Sequence, residues 1–148
     1  MLPFTSERKP PPSFSGATSD RLRVVVENAD LAEGAIEQRI LEQAGCEVVL
    51  CEGPIGSGGT RCPLLTDESC PAIDDADAVI SSLRMDDPSG AEVIDRLRDC
   101  TTLKLVVAAS PASADRHDAR VRGVDVVYPL TAHKLRGLVA DLAGQQAT

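Results

Sequence analysis

The residue types able to do chemistry in this chain are five cysteines, two histidines and a set of carboxylates and hydroxyls placed near the ends of apolar runs. Cys46 and Cys51 flank the run EVVL, Cys100 follows an amphipathic stretch, and Cys62 and Cys70 each precede a proline in CPLLTDESCP. Structural zinc sites take their thiolates as close C-x-x-C-type pairs, and neither spacing here matches. Reduced, partly buried thiols are the favoured reading, because disulfides are uncommon in the cytosol. The sharper alternative brings Cys51, Cys62 and Cys70 together in one long loop as a redox or metal sensor, with oxidation closing a loop. His117 and His133 fall on helical stretches with no serine or cysteine nucleophile aimed at them. No Ser-His-Asp or Cys-His arrangement follows, so no enzyme is expected.

The hydroxyls and acids gain meaning from the elements that carry them. LRVVV (Leu22 to Val26) is short, β-branched and nearly continuous, the pattern of a strand covered on both faces. Leu31 to Ala44 follows with Ile36, Ile40, Leu41 and Ala44 at helical spacing, Asp30 as the N-cap and Gly45 as the stop. The alternation continues with strands at Glu47 to Cys51, Ala78 to Ser82, Leu103 to Ala109 and Val124 to Tyr128. Helices are expected at Ser89 to Arg98 (through Val93, Ile94 and Leu97), Ala112 to Val121, and Thr131 to Leu142 (with Leu135, Leu138, Val139 and Leu142 inward). Strands joined by helical crossovers predict an α/β fold with a five-stranded parallel, doubly wound sheet. In such a sheet the functional groups gather in loops at the carboxyl ends of the strands. That rule selects Glu27, Asn28, Ser82, Ser110 and Tyr128 with Pro129.

One crossover is irregular. Residues 52–75 hold many Gly and Pro and too few periodic apolar residues for a full helix, and a single turn is placed at Pro63 to Thr66. Residues 1–20 are rich in Pro, Ser and Thr and are read as a disordered tail, leaving a domain at 21–143 and a short tail at 144–148.

Bulk properties narrow the class. A chain of 148 residues fits one domain, and its aromatic content of 2% means that Val, Leu, Ile and Ala must build the core. Fifteen basic against 23 acidic residues give a net charge of -8, which repels phosphate backbones and anionic lipid. Neither nucleic acid nor a membrane is an expected partner. No run reaches the length of a membrane span, the N-terminus lacks the apolar core of a secretion signal, and the chain is placed in the cytoplasm.

The ordered segments DAVISSLRMDDPSGAEVIDRLR, RLRVVVENADL, LKLVVAASP and VVYPL together resemble the receiver domain of bacterial two-component response regulators, a CheY-like fold, over about residues 21–143. The resemblance implies a phosphorelay signalling module. Carried over residue by residue, it puts the phosphoacceptor at Ser82, the acidic pair at Glu27 and Asn28, the conserved hydroxyl at Ser110 and the lysine at Tyr128. Only the hydroxyl is kept. An acyl phosphate needs an ionised carboxylate as nucleophile, and a serine would need an adjacent base. Magnesium needs oxygen ligation anchored on carboxylates, of which Glu27 alone remains, and Tyr128 brings no positive charge to a phosphate. Asp86 and Asp87 could join Glu27 around a cation, but a solvated loop with Asp87 or Ser89 capping the next helix is favoured.

The expectation is therefore a degenerate, stand-alone receiver-like module with no cofactor and no metal, acting through contact with another signalling protein. Six residues follow Leu142, so no attached output domain is expected. The resemblance implies a contact face over Ala112 to Leu142. A nucleotide- or flavin-binding flavodoxin-like protein is disfavoured, since Glu27-Asn28-Ala29-Asp30 replaces a Gly-rich turn after the first strand, and GPIGSGG does not lead into a periodic helix.

Overall fold

The computed structural model describes Phe14 and residues 20–51, 70–82, 88–100, 103–108, 125–127 and 130–146. The strands are β1 (Arg23–Glu27), β2 (Glu47–Cys51), β3 (Ala78–Ser81), β4 (Lys104–Ala108) and β5 (Asp125–Val127). They form one parallel sheet in the order β2-β1-β3-β4-β5. The described helices are α1 (Leu31–Gln43), α2 (Pro71–Asp75), α3 (Pro88–Arg98) and α4 (Ala132–Gln146). The doubly wound α/β architecture expected from the alternation of runs is the one observed. The helices expected at Pro63 to Thr66 and Ala112 to Val121 lie outside the described residues.

β1 organises the core because both of its faces are covered. Val24 and Val26 point into one cluster with Leu41, Cys46, Ile80, Leu135 and Val139, whereas Val25 points into the other with Val49, Ile73, Val79, Val93 and Leu97. Val24, Val25 and Val26 are 0–1% exposed, and each such side chain stabilises the fold by about 1.5–3 kcal/mol through loss of apolar surface to water. α3 buries Val93, Ile94 and Leu97 as its spacing predicted, and α4 buries Leu135, Val139 and Leu142 with Leu138 half-buried.

The ends of α1 follow from local chemistry. The Asp30 carboxylate accepts the Ala32 and Glu33 N–H groups at 3.0 and 3.2 Å, satisfying two donors left open by the first turn. Gly45 takes φ +97°, which lets the Cys46 N–H reach the Leu41 carbonyl and the Gly45 N–H reach that of Glu42. Leu41 and Cys46 pack in the same cluster, completing the stop with an apolar contact.

The rotation of α1 departs from expectation. Gly34, Glu37 and Leu41 face inward, whereas Ile36 is 63% exposed and Ala44 lies on the surface. Two contacts explain the correction. A Cβ on Gly34 would stand 2.6 Å from Leu50 Cδ1, so α1 lies closest to β2 at this glycine. The Glu37 carboxyl, three residues further on, receives a buried hydrogen bond from Asn28.

Three further boundaries shift. Part of the irregular crossover forms α2, with Pro71 in its first turn and Ala72, Ile73 and Ala76 packed on the sheet. β3 ends at Ser81, leaving Ser82 just beyond it, and α4 runs past residue 143 to Gln146. Within the segment expected to be a tail, Phe14 is 6% exposed and belongs to the cluster of Val25, Val79 and Leu97. The Arg23 guanidinium lies 5.5 Å from its ring centroid and also pairs with Glu47 at 3.4 Å.

Replacing Phe14 by Ala is expected to destabilise the domain by about 3 kcal/mol, the usual loss for truncating a buried aromatic. Urea unfolding monitored by circular dichroism measures it, and an unchanged midpoint would show that the ring contributes nothing to the core.

Candidate functional site

The carboxyl ends of β2, β1 and β3 lie level. Glu27 stands opposite Cys51 on one side and Ser81 on the other, so the three residues form a row across one face of the sheet. The row continues the face of Val25, Val49 and Val79, beneath α2 and α3. Glu27 is 2% exposed and Ser81 0%. Backbone bonds extend the ladder past the strands: the Asn28 N–H donates to the Cys51 carbonyl at 2.9 Å and the Ser82 N–H to the Glu27 carbonyl at 2.8 Å.

The position of Glu27 sets its charge. Burial pushes its carboxyl up to about 7, and a hydrogen bond from the Ser81 side chain offsets only part of that rise. Among the described residues no group bonds to its Oε1. Around neutral pH the end of β1 therefore holds a carboxyl that is partly protonated.

Asn28 is engaged at both ends of its amide. Its Nδ2 donates to Glu37 Oε1 at 2.9 Å inside the protein, and its Oδ1 accepts the Asp30 N–H at 2.9 Å. Asn28 and Glu37 are each 5% exposed. Burial raises the Glu37 carboxyl above its ordinary range, the bond from Asn28 lowers it, and nearby Glu33 raises it again. Glu27 and Glu37 are thus two buried carboxyls served by neutral donors, one by a hydroxyl and one by an amide.

The structure brings Glu27, Asn28 and Ser82 together at the ends of adjacent strands, with Ser82 half-buried. Ser110, Tyr128, Asp86, Asp87, Cys62 and His117 lie outside the described residues, and His133 is exposed in the first turn of α4. Cys51 and Cys70 are half-buried and pack against the same cluster, as does Cys100. Burial pushes the Cys70 thiol up, its backbone partners lower it, and Glu27 and Asp74 raise it further. Two residues of the site were not expected. Ser81 is found by strand alternation, because it shares a face with Val79, and Glu37 by helical spacing, three residues after Gly34 and four before Leu41.

The comparisons define the fold. No protein-family model and no curated protein matches the chain in sequence. Among solved structures it is similar to a response regulator receiver domain protein from Clostridium thermocellum, at 18% identity and TM-score 0.63, over 85% of this chain and 97% of that one. It is similar also to a CheY-like receiver domain protein from Methanospirillum hungatei, at 18% identity and TM-score 0.62, over 86% of this chain and 98% of that one. An orphan response regulator of H. pylori superposes with TM-score 0.55 at 20% identity, over 83% of this chain and 94% of that one. The fold is that of CheY-like receiver domains.

Magnesium, which that fold implies, does not fit the described residues. The ion favours near-octahedral oxygen ligation with carboxylates and water. Here Glu27 is desolvated against Ser81, and Asn28 turns its amide toward Glu37 and Asp30. No group of three His, Cys, Asp or Glu able to hold a metal occurs among the described residues.

Asn28→Asp is expected to destabilise the domain by about 2 kcal/mol at neutral pH, since a carboxylate would replace the donor facing Glu37. Adding Glu37→Gln is expected to recover much of that loss, because the amide introduced on α1 can donate to the carboxylate introduced after β1. Urea midpoints of the two single variants and the double variant measure the coupling; strictly additive effects would show that the two side chains do not depend on each other.

Proposed function

We propose that this protein is a receiver-like signalling module of the two-component type that acts by contact with another signalling protein and is not phosphorylated on aspartate. The observation that carries this reading is Glu27. The fold's acidic rim is represented here by a carboxyl that is buried, bonded to Ser81 and protonated well above the ordinary range. Ser82 takes the acceptor's place in this reading, and a serine hydroxyl forms a phosphate ester, never the acyl phosphate that a carboxylate forms.

A module without that chemistry transmits by binding. By analogy of fold, the contact face is the segment Ala112 to Leu142, of which the described part presents Thr131, His133, Arg136 and Asp141 to solvent. The net charge of -8 favours a protein partner over nucleic acid. Among the described residues no helix is long and apolar enough to cross a membrane, and a cytoplasmic setting fits this role. The alternative built on Cys51, Cys62 and Cys70 ranks second, because burial pushes the Cys70 thiol up and so reduces the thiolate that oxidation needs.

Incubation with acetyl phosphate and magnesium is expected to leave the intact mass unchanged. Ser82→Asp alone is expected to remain unlabelled too, because Glu27 stays buried and Asn28 stays tied to Glu37. A magnesium-dependent gain of one phosphoryl group on the wild-type chain would overturn the proposal. A gain on the Ser82→Asp variant alone would show that the acceptor was lost while the rest of the pocket was kept.

A further inference from the structure

Phe14 is held by the domain without belonging to any of its elements. It lies in no strand or helix, well ahead of Arg23 at the start of β1, yet it is 6% exposed and shares a cluster with Val25, Ile73, Val79 and Leu97. The Arg23 guanidinium, 5.5 Å from the ring centroid, also pairs with Glu47, which stands opposite Arg23 in the sheet register. The ring is therefore received at the amino ends of β1 and β2, the end of the sheet away from Glu27, Asn28 and Ser82. An apolar lining with a guanidinium over the ring suits an aromatic side chain. Pro10-Pro11-Pro12-Ser13 precedes Phe14 and Ser15-Gly16-Ala17-Thr18-Ser19 follows it, so it is the one large apolar side chain, proline aside, between Phe4 and Leu22. The ladder of β1 and β2 runs from Arg23 and Glu47 to Glu27 and Cys51, so release of the ring breaks no pairing between strands. A contact of that size opens locally far more readily than the sheet unfolds.

We propose that the Phe14 pocket is a docking site for an extended segment of a partner protein that carries one aromatic side chain, and that Phe14 occupies the pocket in cis as a self-inhibitor. The chain itself shows the class of ligand that fits: an aromatic ring after a basic pair and a run of prolines, Arg8-Lys9-Pro10-Pro11-Pro12-Ser13-Phe14. A net charge of -8 favours a segment with basic residues and disfavours a second copy of the same acidic chain as the occupant. On a short tether the cis ring competes at an effective concentration in the mM range. An incoming segment must displace it, so removal of the cis ring raises the apparent affinity for that segment. The site rests on neither the rim nor the signalling role, since it needs only the ring and the groups around it.

The peptide RKPPPSFSGA, residues 8–17 of this sequence, is the probe, titrated into the full wild-type chain and into Phe14→Ala. The alanine variant is expected to bind it saturably, with shifts at the Val25, Val79 and Leu97 methyls, and the wild-type chain to bind it about tenfold or more weakly because its own ring competes. The same peptide with Ala for Phe is expected to leave those methyls unmoved. Equal affinity of the two chains, uptake of the Phe-free peptide, or a folded variant that takes up no peptide overturns the proposal. Sedimentation is expected to give both chains the same association state; a dimer that Phe14→Ala abolishes assigns the pocket to a second copy and overturns the partner. If the alanine variant does not fold, the ¹⁹F signal of Phe14 decides, read in the Phe4→Leu chain labelled with fluorophenylalanine, where it is the only such residue left. Peptide at about 10 mM, above the effective concentration of a short tether, is expected to shift that signal to the position of a free ring, and an unmoved signal overturns the docking site.

Discussion

The structure depends on one constraint, the burial of β1 on both faces. A strand with neighbours on either side and helices above and below has no solvent-facing row, so even its last residue lies inside the protein. Glu27 is that residue, and its chemistry follows from where the strand ends. An acid at the same point on an edge strand would face water and titrate normally; here it is desolvated, bonded to Ser81, and held up to about 7. Asn28 then has to leave the sheet from within the core. It does so by using both ends of its amide, one on Glu37 and one on the backbone of Asp30, the residue that caps α1. The cap, the rotation of α1 and the polar rim are therefore consequences of a single buried strand.

That chain of dependence marks where the sequence was legible. The apolar strands declared themselves because parallel strands covered on two faces are near-continuous aliphatic runs, and Val24, Val25, Val26 and Val79 could be placed without tertiary knowledge. Asp30 and Gly45 were legible because capping is local chemistry. The inward face of α1 was not. Spacing alone favoured Ile36, but Asn28 required a buried acceptor and Gly34 allowed close approach to Leu50, and both demands come from other elements. Phe14 was hidden for a related reason: one aromatic ring in a Pro-rich segment carries no periodicity, and only the cluster around Val25 and Leu97 shows what it fills.

The site was legible in part. The rule that function gathers at strand ends led to Glu27, Asn28 and Ser82, which the structure brings together. It could not supply Ser81, since a small polar residue inside a strand signals nothing until its cross-strand neighbour is an acid. The similar solved structures share 18–20% identity with this chain yet align with most of it, so the fold persists across wide change in sequence. The polar rim of this chain is held by a few hydrogen bonds, among them those of Asn28 to Glu37 and Asp30, which a few substitutions can rewire.

Rewiring has a physical consequence for control. A rim held by a metal ion and several carboxylates is a site of high local charge, in which a transferred phosphoryl group changes the balance abruptly. A rim held by a hydroxyl, an amide and carboxyls that burial raises has less charge to rebalance, so its state depends on packing rather than on a transferred phosphoryl group.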